Sequence, residues 1–315
     1  MKTVNYSRDK LVMRDSFWKR VTQDAFQDER IVIVTADMSA PGLDLFKRRF
    51  PKRYINVGIA EQQAILAACG LAKEGFIPFV YAIMPFITYR CYDQIKTIAG
   101  SMNIPINIVG VGSGLSYAGS GLVHHSLEDL AIMNMVPHLT TYNCSSGKMA
   151  EQVASHCIGA GRGLNYIRLD REPVQDPIND EHENLDFKKG FIELDEQKSE
   201  KVLITTGNMI HKFIPPNEPC SIHLIEMFKM PYQVGELLRT TRYAKKVYVV
   251  EENSASGGLG DLIRKTYSGT HVDVDTKGVE VKNAGYTYIY GGRDKIHQHY
   301  GLTRKDIDKW LGLDS

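Results

Sequence analysis

The sequence has no excess of charge of either sign and no long apolar run. Lysine and arginine total 38 against 37 aspartate and glutamate residues, a formal net charge of +1. Proteins that follow a phosphate backbone carry a basic excess, so a nucleic-acid binder is disfavoured. Charges interrupt the opening residues, MKTVNYSRDKLVMRD, and no apolar stretch approaches the roughly 18 residues of a membrane span. We therefore expect a cytoplasmic protein that binds neither nucleic acid nor membrane.

Cysteine is scarce and has no pairing pattern. The residues are odd in number and widely scattered, and no C-x-x-C or histidine-paired spacing indicates a disulfide framework or a zinc site. We predict that they are ordinary buried thiols. They are Cys69, Cys91, Cys144, Cys157 and Cys220.

Short β-branched or aromatic runs recur between segments of helical length. Near-continuous apolar runs of this kind are typical of parallel strands that are buried on both faces of a sheet. The predicted fold class is therefore α/β. The runs are IVIVTA (31–36), IPFVYA (77–82), INIVGV (106–111), LNYIRL (164–169), VLITT (202–206), IHLIE (222–226) and VYVVEE (247–252).

The length of 315 residues predicts two domains, because domains of about 100–200 residues are usual. The segment REPVQDPINDEHENLDFKKG (171–190) is acidic and without apolar periodicity, which is typical of a linker. We place the boundary near residue 185. The predicted domains are residues 1–185 and 186–315, each with a parallel or mixed sheet.

Polar and aromatic residues follow several of the predicted strands. In open parallel sheets, ligands bind beyond the carboxyl ends of the strands, so these residues are candidates for a site. In chain order they are Asp37, Phe86, Tyr89, His124, His125 and Arg171.

One carboxylate, Glu61, stands at the head of an otherwise apolar segment, INVGIAEQQAILAACGLAKEG (55–75). The segment after it is predicted as a helix with Gly75 as its C-cap. An acid in the first turn stabilises a helix dipole by about 0.3–1 kcal/mol, which is one explanation. The other is functional. Small neighbours such as Gly58 and Ala64 suit an interface or a buried wall, where a desolvated acid can take part in proton transfer.

Several segments together resemble one family. RYINVGIAEQQAILAACGLAKEGFIPFVYAIMPFITYRCYDQI (53–95), with TADMS (35–39) before it and GSGLVHHSLEDLAIMNMVP (119–137) after it, resembles the pyrimidine-binding domain of transketolase-like thiamine diphosphate enzymes. The similarity continues through VYVVEENSASGGLGDLI (247–263) and covers nearly all of the chain. The resemblance implies the last two of the three transketolase domains, a pyrimidine-binding domain followed by a transketolase C-terminal domain.

On the cofactor side, the resemblance implies a catalytic and cofactor-binding role for Glu61. In this family the glutamate of G-I-A-E-Q hydrogen-bonds a ring nitrogen of the aminopyrimidine and promotes the imino tautomer, which deprotonates the thiazolium carbon. Ile59 in the same motif and Asp37 in TADMS are implied as cofactor-binding neighbours. Phe86 and Tyr89 match aromatic residues that pack on the pyrimidine, although their spacing also fits one core-facing side of a helix.

On the substrate side, His124 matches the family histidine that faces the substrate, which makes it a catalytic and substrate-binding candidate. His125 stands at the neighbouring position and is a second substrate-binding candidate. The alternative is that both cap a helix beginning near Ser126, where Ser126 and Asp129 form a pattern like a capping box. Arg14 and Arg171 match arginines that hold a sugar phosphate, a task that suits a planar guanidinium. Either arginine could equally form a surface ion pair.

The substrate side also departs from the family pattern. Transketolases usually read E-D-G-x-T-H-Q where residues 119–125 read GSGLVHH, so the aspartate that recognises a donor hydroxyl is missing and Ser120 stands there. Pro41 replaces an expected phosphate-binding serine, and Gly112 replaces another substrate histidine. The cofactor side is thus intact and the substrate side altered, which implies an unusual sugar donor.

The family's motif for the diphosphate is not found in the sequence. No G-D-G motif, which with a later asparagine binds Mg2+ and the diphosphate in this family, occurs in the sequence. GGLGDL (257–262) is better explained as a glycine turn before a helix than as a phosphate loop. The resemblance therefore implies a split enzyme in which an N-terminal transketolase-like partner subunit supplies the diphosphate-binding domain and Mg2+, in an α2β2 heterotetramer. No metal site is predicted on this chain.

The predicted function is that of a transketolase subunit that transfers a two-carbon ketol group between a sugar phosphate donor and an aldose acceptor. Two alternatives stay open. One is a relative of deoxyxylulose phosphate synthase or of the beta chain of a 2-oxo acid dehydrogenase, and the other is a catalytically silent scaffold subunit. Arg14, Arg171 and His124 favour sugar phosphates over a lipoyl-bearing partner.

Overall fold

The computed structural model describes residues 5–178, 182, 184–194, 199–213, 222–280 and 288–313, which fall into two compact units. The N-terminal unit comprises Ser7–Ser113 and Ile132–Asp176. The C-terminal unit comprises residues 5–6 and Gly114–Ala131 together with the described residues from Pro177 onward. A segment from the first half of the sequence therefore belongs to the second unit. The boundary near residue 185, between domains 1–185 and 186–315, stays a prediction.

A parallel sheet forms the centre of the N-terminal unit. Its strands are short and apolar because both faces of the sheet are covered. The strands in this part of the chain are β1 (Asn5–Val12), β2 (Ile31–Thr35), β3 (Tyr54–Asn56), β4 (Ile77–Ile83), β5 (Asn107–Val111), β6 (Leu139–Asn143), β7 (Leu164–Leu169) and β8 (Pro173–Ile178). The sheet has the order β6-β7-β5-β4-β2-β3, while β1 pairs with β8. Val80 in β4 pairs with Val34 of β2 on one side and Ile108 of β5 on the other.

Helices cover this sheet. They are α1 (Met13–Asp24), α2 (Asp44–Arg49), α3 (Glu61–Lys73), α4 (Met84–Thr88), α5 (Tyr92–Gln94), a π-helical turn (Ile95–Gly100) and α7 (Gly147–Ile158). Helix α6 (Asp129–Met133) begins in the C-terminal unit and ends in the N-terminal unit. Helix α3 buries Ala64 and Ala68 in the same core as the sheet residues Val34 and Val80. It ends with Glu74 as the C-cap, one residue before the predicted cap, Gly75.

A second, mixed sheet lies in the C-terminal unit. Its strands are β9 (Phe191–Glu193), β10 (Lys201–Thr205), β11 (His223–Met227), β13 (Lys246–Ser254) and β14 (Asp273–Val279). The two-residue β12 (Lys229–Met230) lies between β11 and β13 in sequence and is not part of this sheet. The sheet order is β14-β13-β10-β11-β9, and only β9 pairs antiparallel among these described strands. The helices are α8 (Val234–Thr240), α9 (Leu259–Tyr267), α10 (Arg293–His299) and α11 (Arg304–Leu311).

The predicted α/β class is confirmed in both units, and every run predicted as a strand overlaps one. One expectation needs correction. The segment 171–190, predicted as a linker, includes β8, whose pairing with β1 overrides the weak periodicity of PVQDPI.

Four cysteines are confirmed as buried free thiols, namely Cys69, Cys91, Cys144 and Cys157. Cys220 lies outside the described residues. None of the helices that the structure describes combines the length and the apolar character needed to cross a bilayer.

Candidate functional site

Glu61 is the first residue of α3, and only 7% of it is exposed to solvent. The backbone turns tightly just before it, because the Ala60 N–H donates to the Gly58 carbonyl over 2.8 Å. An acid that complements a helix dipole can do so from the surface, whereas burying a carboxylate costs free energy. The dipole alone therefore does not account for the position of Glu61. Its catalytic and cofactor-binding role stays a prediction.

Asn56 fixes the turn that leads to Glu61. Its side-chain oxygen accepts hydrogen bonds from the backbone N–H groups of Asp37 (2.9 Å) and Gly58 (3.0 Å). Its amide nitrogen donates to the Asp37 carboxylate over 3.2 Å. Asp37 is exposed and has a left-handed backbone with a φ of 53°. The ends of β2 and β3 are thus joined beside the start of α3.

Arg90 connects the predicted acid with a predicted aromatic residue. Its Nη1 lies 3.6 Å from Oε1 of Glu61. Its Cζ lies 3.9 Å from the centre of the Phe86 ring, so the guanidinium stacks on that ring. The Arg90 carbonyl accepts a hydrogen bond of 2.8 Å from Gln62 of α3. The structure therefore brings Glu61 and Phe86 to one place, with a planar cation between them.

Arg90 was not predicted from the sequence. A signal for it was available, since Phe86 and Arg90 are four residues apart, the spacing of neighbours on one helical face. Asn56 was likewise not predicted to have a role. Its amide made it a candidate for bridging a turn.

Phe86 and Tyr89 are both half-buried, whereas Ile87 between them is fully buried. Phe86 lies in α4 and Tyr89 directly follows that helix. Each ring therefore keeps part of its surface outside the core, in contrast to Ile87. The assignment of both residues to the cofactor remains a prediction.

Small and large apolar residues lie on different sides of the segment around Glu61. Ala64 and Ala68 are buried in the core of their own unit, which agrees with the expected buried wall, and the interface stays a prediction. The outward side carries larger apolar residues. Ile59 is 78% exposed and Leu66 is 41% exposed. Ile59, predicted to bind the cofactor, therefore lies on the surface in this chain.

The predicted phosphate-binding arginines lie on two other elements of the N-terminal unit. Arg14 is in α1, where its Nε and Nη2 each donate to the carboxylate of Asp15 over 3.0 Å. Arg171 is exposed and follows β7. The ion pair of Arg14 is the simpler alternative that the sequence left open, and a substrate role for either arginine stays a prediction.

His124 and His125 belong to the C-terminal unit. They lie on Gly114–Ser126, which we call the histidine loop. The ring of His124 is 5.7 Å from that of Tyr117, centre to centre. His125 is 5% exposed, and burial lowers the pKa of its imidazole despite an opposing hydrogen bond with the Ala118 backbone. Its Nε2 is buried and has no hydrogen-bond partner within the described part of the chain.

Two explanations from the sequence have clear outcomes. The expected capping by Ser126 is wrong, because α6 begins at Asp129 and the Ser126 hydroxyl has no hydrogen-bond partner among the described residues. For GGLGDL, the glycine turn before a helix is confirmed. The buried carboxylate of Glu251 accepts from the N–H groups of Leu259 (2.9 Å) and Gly260 (2.8 Å), which occupies the start of α9.

The residues around Glu61 fit the pyrimidine half of thiamine diphosphate. An aminopyrimidine needs a carboxyl group for its ring nitrogen and an apolar face for its ring. The guanidinium of Arg90 is also planar and rich in N–H groups, and it makes both kinds of contact, an ion pair with Glu61 and stacking on the ring of Phe86. For a metal the outcome differs, because the described residues include no group of three or more histidine, cysteine, aspartate or glutamate side chains that could hold one.

Comparison with known proteins gives a consistent result. Residues 9–176 match the family described as "Transketolase, pyrimidine binding domain". A subunit of the apulose-4-phosphate transketolase of Actinobacillus succinogenes is 26% identical over 283 residues, which cover 88% of this chain and 89% of that protein. The 6-deoxy-6-sulfo-D-fructose transketolase subunit SqwH of Clostridium sp. (strain MSTE9) is 28% identical over 306 residues, with coverages of 94% and 92%.

A solved structure described as "Split gene transketolase, inactive beta4 tetramer" has the same fold, with a TM-score of 0.80 at 24% identity. The alignment covers 97% of this chain and all of that one. The family match itself spans more than half of the sequence, and this family implies the use of thiamine diphosphate. The chain therefore belongs to the transketolase pyrimidine-binding-domain family, as a transferase-type subunit that resembles the C-terminal part of a split transketolase.

Proposed function

We propose that this chain is one subunit of a thiamine diphosphate-dependent transketolase, which moves a two-carbon ketol group from a ketose donor to an aldose acceptor. One observation carries the proposal. The buried carboxyl group of Glu61 and the half-buried ring of Phe86 meet at one place and hold a planar, nitrogen-rich group between them. When bound, thiamine diphosphate would supply the electron sink that carbon–carbon cleavage requires.

Each residue on the cofactor side has a defined task in this proposal. Glu61 presents a carboxyl oxygen to the pyrimidine ring nitrogen and shares a proton with it. Phe86 and Tyr89 pack on the ring. Asp37, joined to Asn56, holds the backbone turn before α3 in place. The guanidinium of Arg90 must move aside, because it occupies the positions that the pyrimidine would take.

On the substrate side, we assign His124 as a catalytic residue that faces the sugar and His125 as a neutral hydrogen-bonding group beside it. The lowered pKa of His125 supports an uncharged imidazole, and its buried Nε2 is available for a ligand. Arg14 and Arg171 would bind a phosphate group with paired N–H donors. For Arg14 a phosphate has to compete with the Asp15 carboxylate.

A partner subunit with the diphosphate-binding domain completes the proposed enzyme. The absence of G-D-G from the sequence supports this arrangement, in which the partner also holds Mg2+ and the assembly is α2β2. The exposed Ile59 and Leu66 beside Glu61 offer apolar surface for such a contact. A similar fold occurs in a split gene transketolase whose beta4 tetramer is inactive, which further supports the need for a second subunit.

The donor is proposed to be a ketose phosphate or a similar sugar outside the usual transketolase set. One relative is named for apulose 4-phosphate and another for 6-deoxy-6-sulfo-D-fructose. Residues Pro41, Gly112 and Ser120 depart from the usual substrate-side pattern, which is consistent with an altered donor. These two compounds are therefore the first donors to test.

The deciding experiment is turnover by the chain reconstituted with its partner, thiamine diphosphate and Mg2+. We expect Glu61→Gln to lower kcat by about 10²–10⁴, the range typical of acid–base groups. Glu74→Gln is the matched control, because Glu74 is an exposed carboxylate at the other end of the same helix. Undiminished turnover in Glu61→Gln would show that the assigned role is wrong.

The same assay separates the alternatives. Turnover with pyruvate, and not with any ketose, would indicate a relative of deoxyxylulose phosphate synthase or of the beta chain of a 2-oxo acid dehydrogenase. A partner that is equally active with and without this chain would indicate a silent scaffold. We expect ketose turnover that requires both chains.

A further inference from the structure

A backbone hydrogen bond joins the two ends of the histidine loop, and we call this closed end its neck. The N–H of Ser126 donates to the carbonyl of Gly114 over 2.9 Å, which joins the residues where the loop begins and ends. His124 and His125 lie close to the closing residue. Their positions therefore depend on what holds this neck.

Glu252, near the end of β13, binds the start of the loop. It is 6% exposed, and its Oε2 accepts a hydrogen bond from the N–H of Leu115 over 3.1 Å. Gly114 lies so close that a Cβ there would collide with Oε2 of Glu252, and its φ of 55° is in the left-handed region. Only glycine suits both conditions. The backbone of the loop is thus fitted onto this carboxylate.

Asn253, the next residue of β13, binds the end of the loop. The side-chain amide of Asn253 donates to the carbonyls of Ser126 (3.1 Å) and Leu127 (3.2 Å) and to the carboxylate of Asp129 (2.9 Å). The N–H of Ser254 adds a bond of 2.7 Å to the Leu127 carbonyl. Consecutive residues of β13 therefore hold both sides of the neck.

Arg293 and His297 hold the buried Glu252 carboxylate in place. Arg293 donates to both oxygens of Glu252 over 2.6 and 2.5 Å, and the His297 ring lies 2.5 Å from one of them. Burial acts to raise the pKa of Glu252, but Arg293 and His297 outweigh it and hold the pKa well below the usual range for a glutamate. A buried ion pair seldom stabilises a fold more than apolar packing of the same volume does. Its use here is better explained by the geometry it imposes on the loop.

We propose that Glu252, assisted by Asn253, is a positioning residue that sets the histidine loop and hence His124 and His125 for the sugar substrate. The second domain thereby contributes to substrate recognition through the end of β13. The catalytic relevance of this inference rests on the proposed transketolase function. The positioning of the loop by Glu252 involves this chain alone and can be tested without any substrate.

The first measurement is hydrogen exchange of the loop amides in the purified chain. Glu252→Gln removes the charge that Arg293 and His297 surround, so we expect exchange in residues 115–125 to rise at least tenfold. The matched control is Glu251→Gln, since Glu251 is the adjacent buried glutamate and binds the start of α9. There the increase should fall on Leu259 and Gly260.

The second measurement is steady-state kinetics with the reconstituted enzyme. Glu252→Gln should raise KM for the ketose donor by tenfold or more while the affinity for thiamine diphosphate stays within twofold. A general loss of stability would weaken both, and Glu251→Gln reports its size. If Glu252→Gln does not fold, Gly114→Ala is the second variant. The added methyl group would collide with the Glu252 carboxylate and leave every charge in place, and the same two measurements apply to it.

The outcomes are distinct. Loop exchange in Glu252→Gln or Gly114→Ala equal to that of the unmodified chain would overturn the proposal, as would a donor KM that changes no more than in Glu251→Gln. Faster loop exchange in a chain that processes no ketose with its partner would uphold the positioning of the loop and refute the transketolase assignment instead.

Discussion

In the proposed function Arg90 occupies the place assigned to the pyrimidine ring, and this allows a quantitative prediction. The guanidinium pairs with Glu61 across 3.6 Å and stacks on Phe86 at 3.9 Å, while 52% of the Arg90 side chain remains exposed. Binding of the cofactor must break both contacts. Arg90→Ala removes them in advance, so the affinity for thiamine diphosphate should increase.

The size of the increase follows from the exposure of the side chain. Glu61 is buried, but the guanidinium of Arg90 is half exposed and 3.6 Å away, so we assign the ion pair the range of a solvent-screened pair, about 0.2–1 kcal/mol. A half-exposed cation on an aromatic ring contributes about 0.5–1 kcal/mol. Because one guanidinium makes both contacts, their energies do not simply add, and we expect a total of about 1 kcal/mol. That corresponds to a roughly fivefold lower Kd. The backbone conformation at residue 90 should not change, because the Arg90 carbonyl that accepts a hydrogen bond from the Gln62 side chain is unaffected by the substitution.

Isothermal titration of the reconstituted enzyme with thiamine diphosphate measures this effect directly. Arg242→Ala is the control, because Arg242 also stacks on an exposed tyrosine ring, at 4.6 Å from Tyr243, and its removal changes the net charge equally. We expect no change in Kd for the control. Weaker binding by Arg90→Ala would refute the reasoning and identify Arg90 as a ligand of the cofactor instead of an obstacle to it.

Two further predictions concern the protein outside the site. The pKa of Glu193 falls from 4.5 to about 2 through His223, Lys189 and Thr240 against the effect of burial, so its ionised form adds stability above pH 4.5 that is lost as the pH falls toward 2. Glu193→Gln should therefore lower Tm at pH 6 and have little effect near pH 2 in thermal unfolding, and a constant difference would contradict this. Burial raises the pKa of Cys91 to about 12 and that of Cys69 to about 11, so native protein at pH 8 should resist iodoacetamide and unfolded protein should not. Mass spectrometry measures the labelling, and rapid native alkylation of either thiol would show that it is accessible.

The strands that the sequence revealed are runs composed largely of apolar residues. IVIVT and LNYIRL are continuous apolar runs or nearly so, and both are buried along their whole length in the sheet. The strand β14 was missed because DVDTKGV is largely polar at a sheet edge, where one side needs no apolar cover. In β6, LTTYN, buried threonines and asparagine hide the strand from a prediction based on apolar runs.

The candidate site divides in the same way. Glu61, Phe86 and Arg90 come from a stretch of thirty residues, so a motif in the sequence could identify the acid and the ring together. The contact between Leu115 and Glu252 joins residues 137 positions apart. Neither periodicity nor spacing reports such a pair, because tertiary packing alone brings them together. For this reason the assignment of the histidine loop to the C-terminal unit was not predicted.

This division has a consequence for how substrate preference can change. The acid and the ring assigned to the cofactor depend on neighbouring helices in one unit, whereas the loop with His124 and His125 depends on β13 and α10 in the other. Substitutions at the neck of the loop can therefore move the histidines without disturbing Glu61. The altered residues between Gly119 and Val123 lie on the loop itself, within the part that Glu252 and Asn253 hold at both ends. Changes at Ser120 and its neighbours on the loop can thus alter the proposed substrate side while Glu61 and Phe86 keep their contacts with Arg90, whereas Pro41 and Gly112 lie outside the loop.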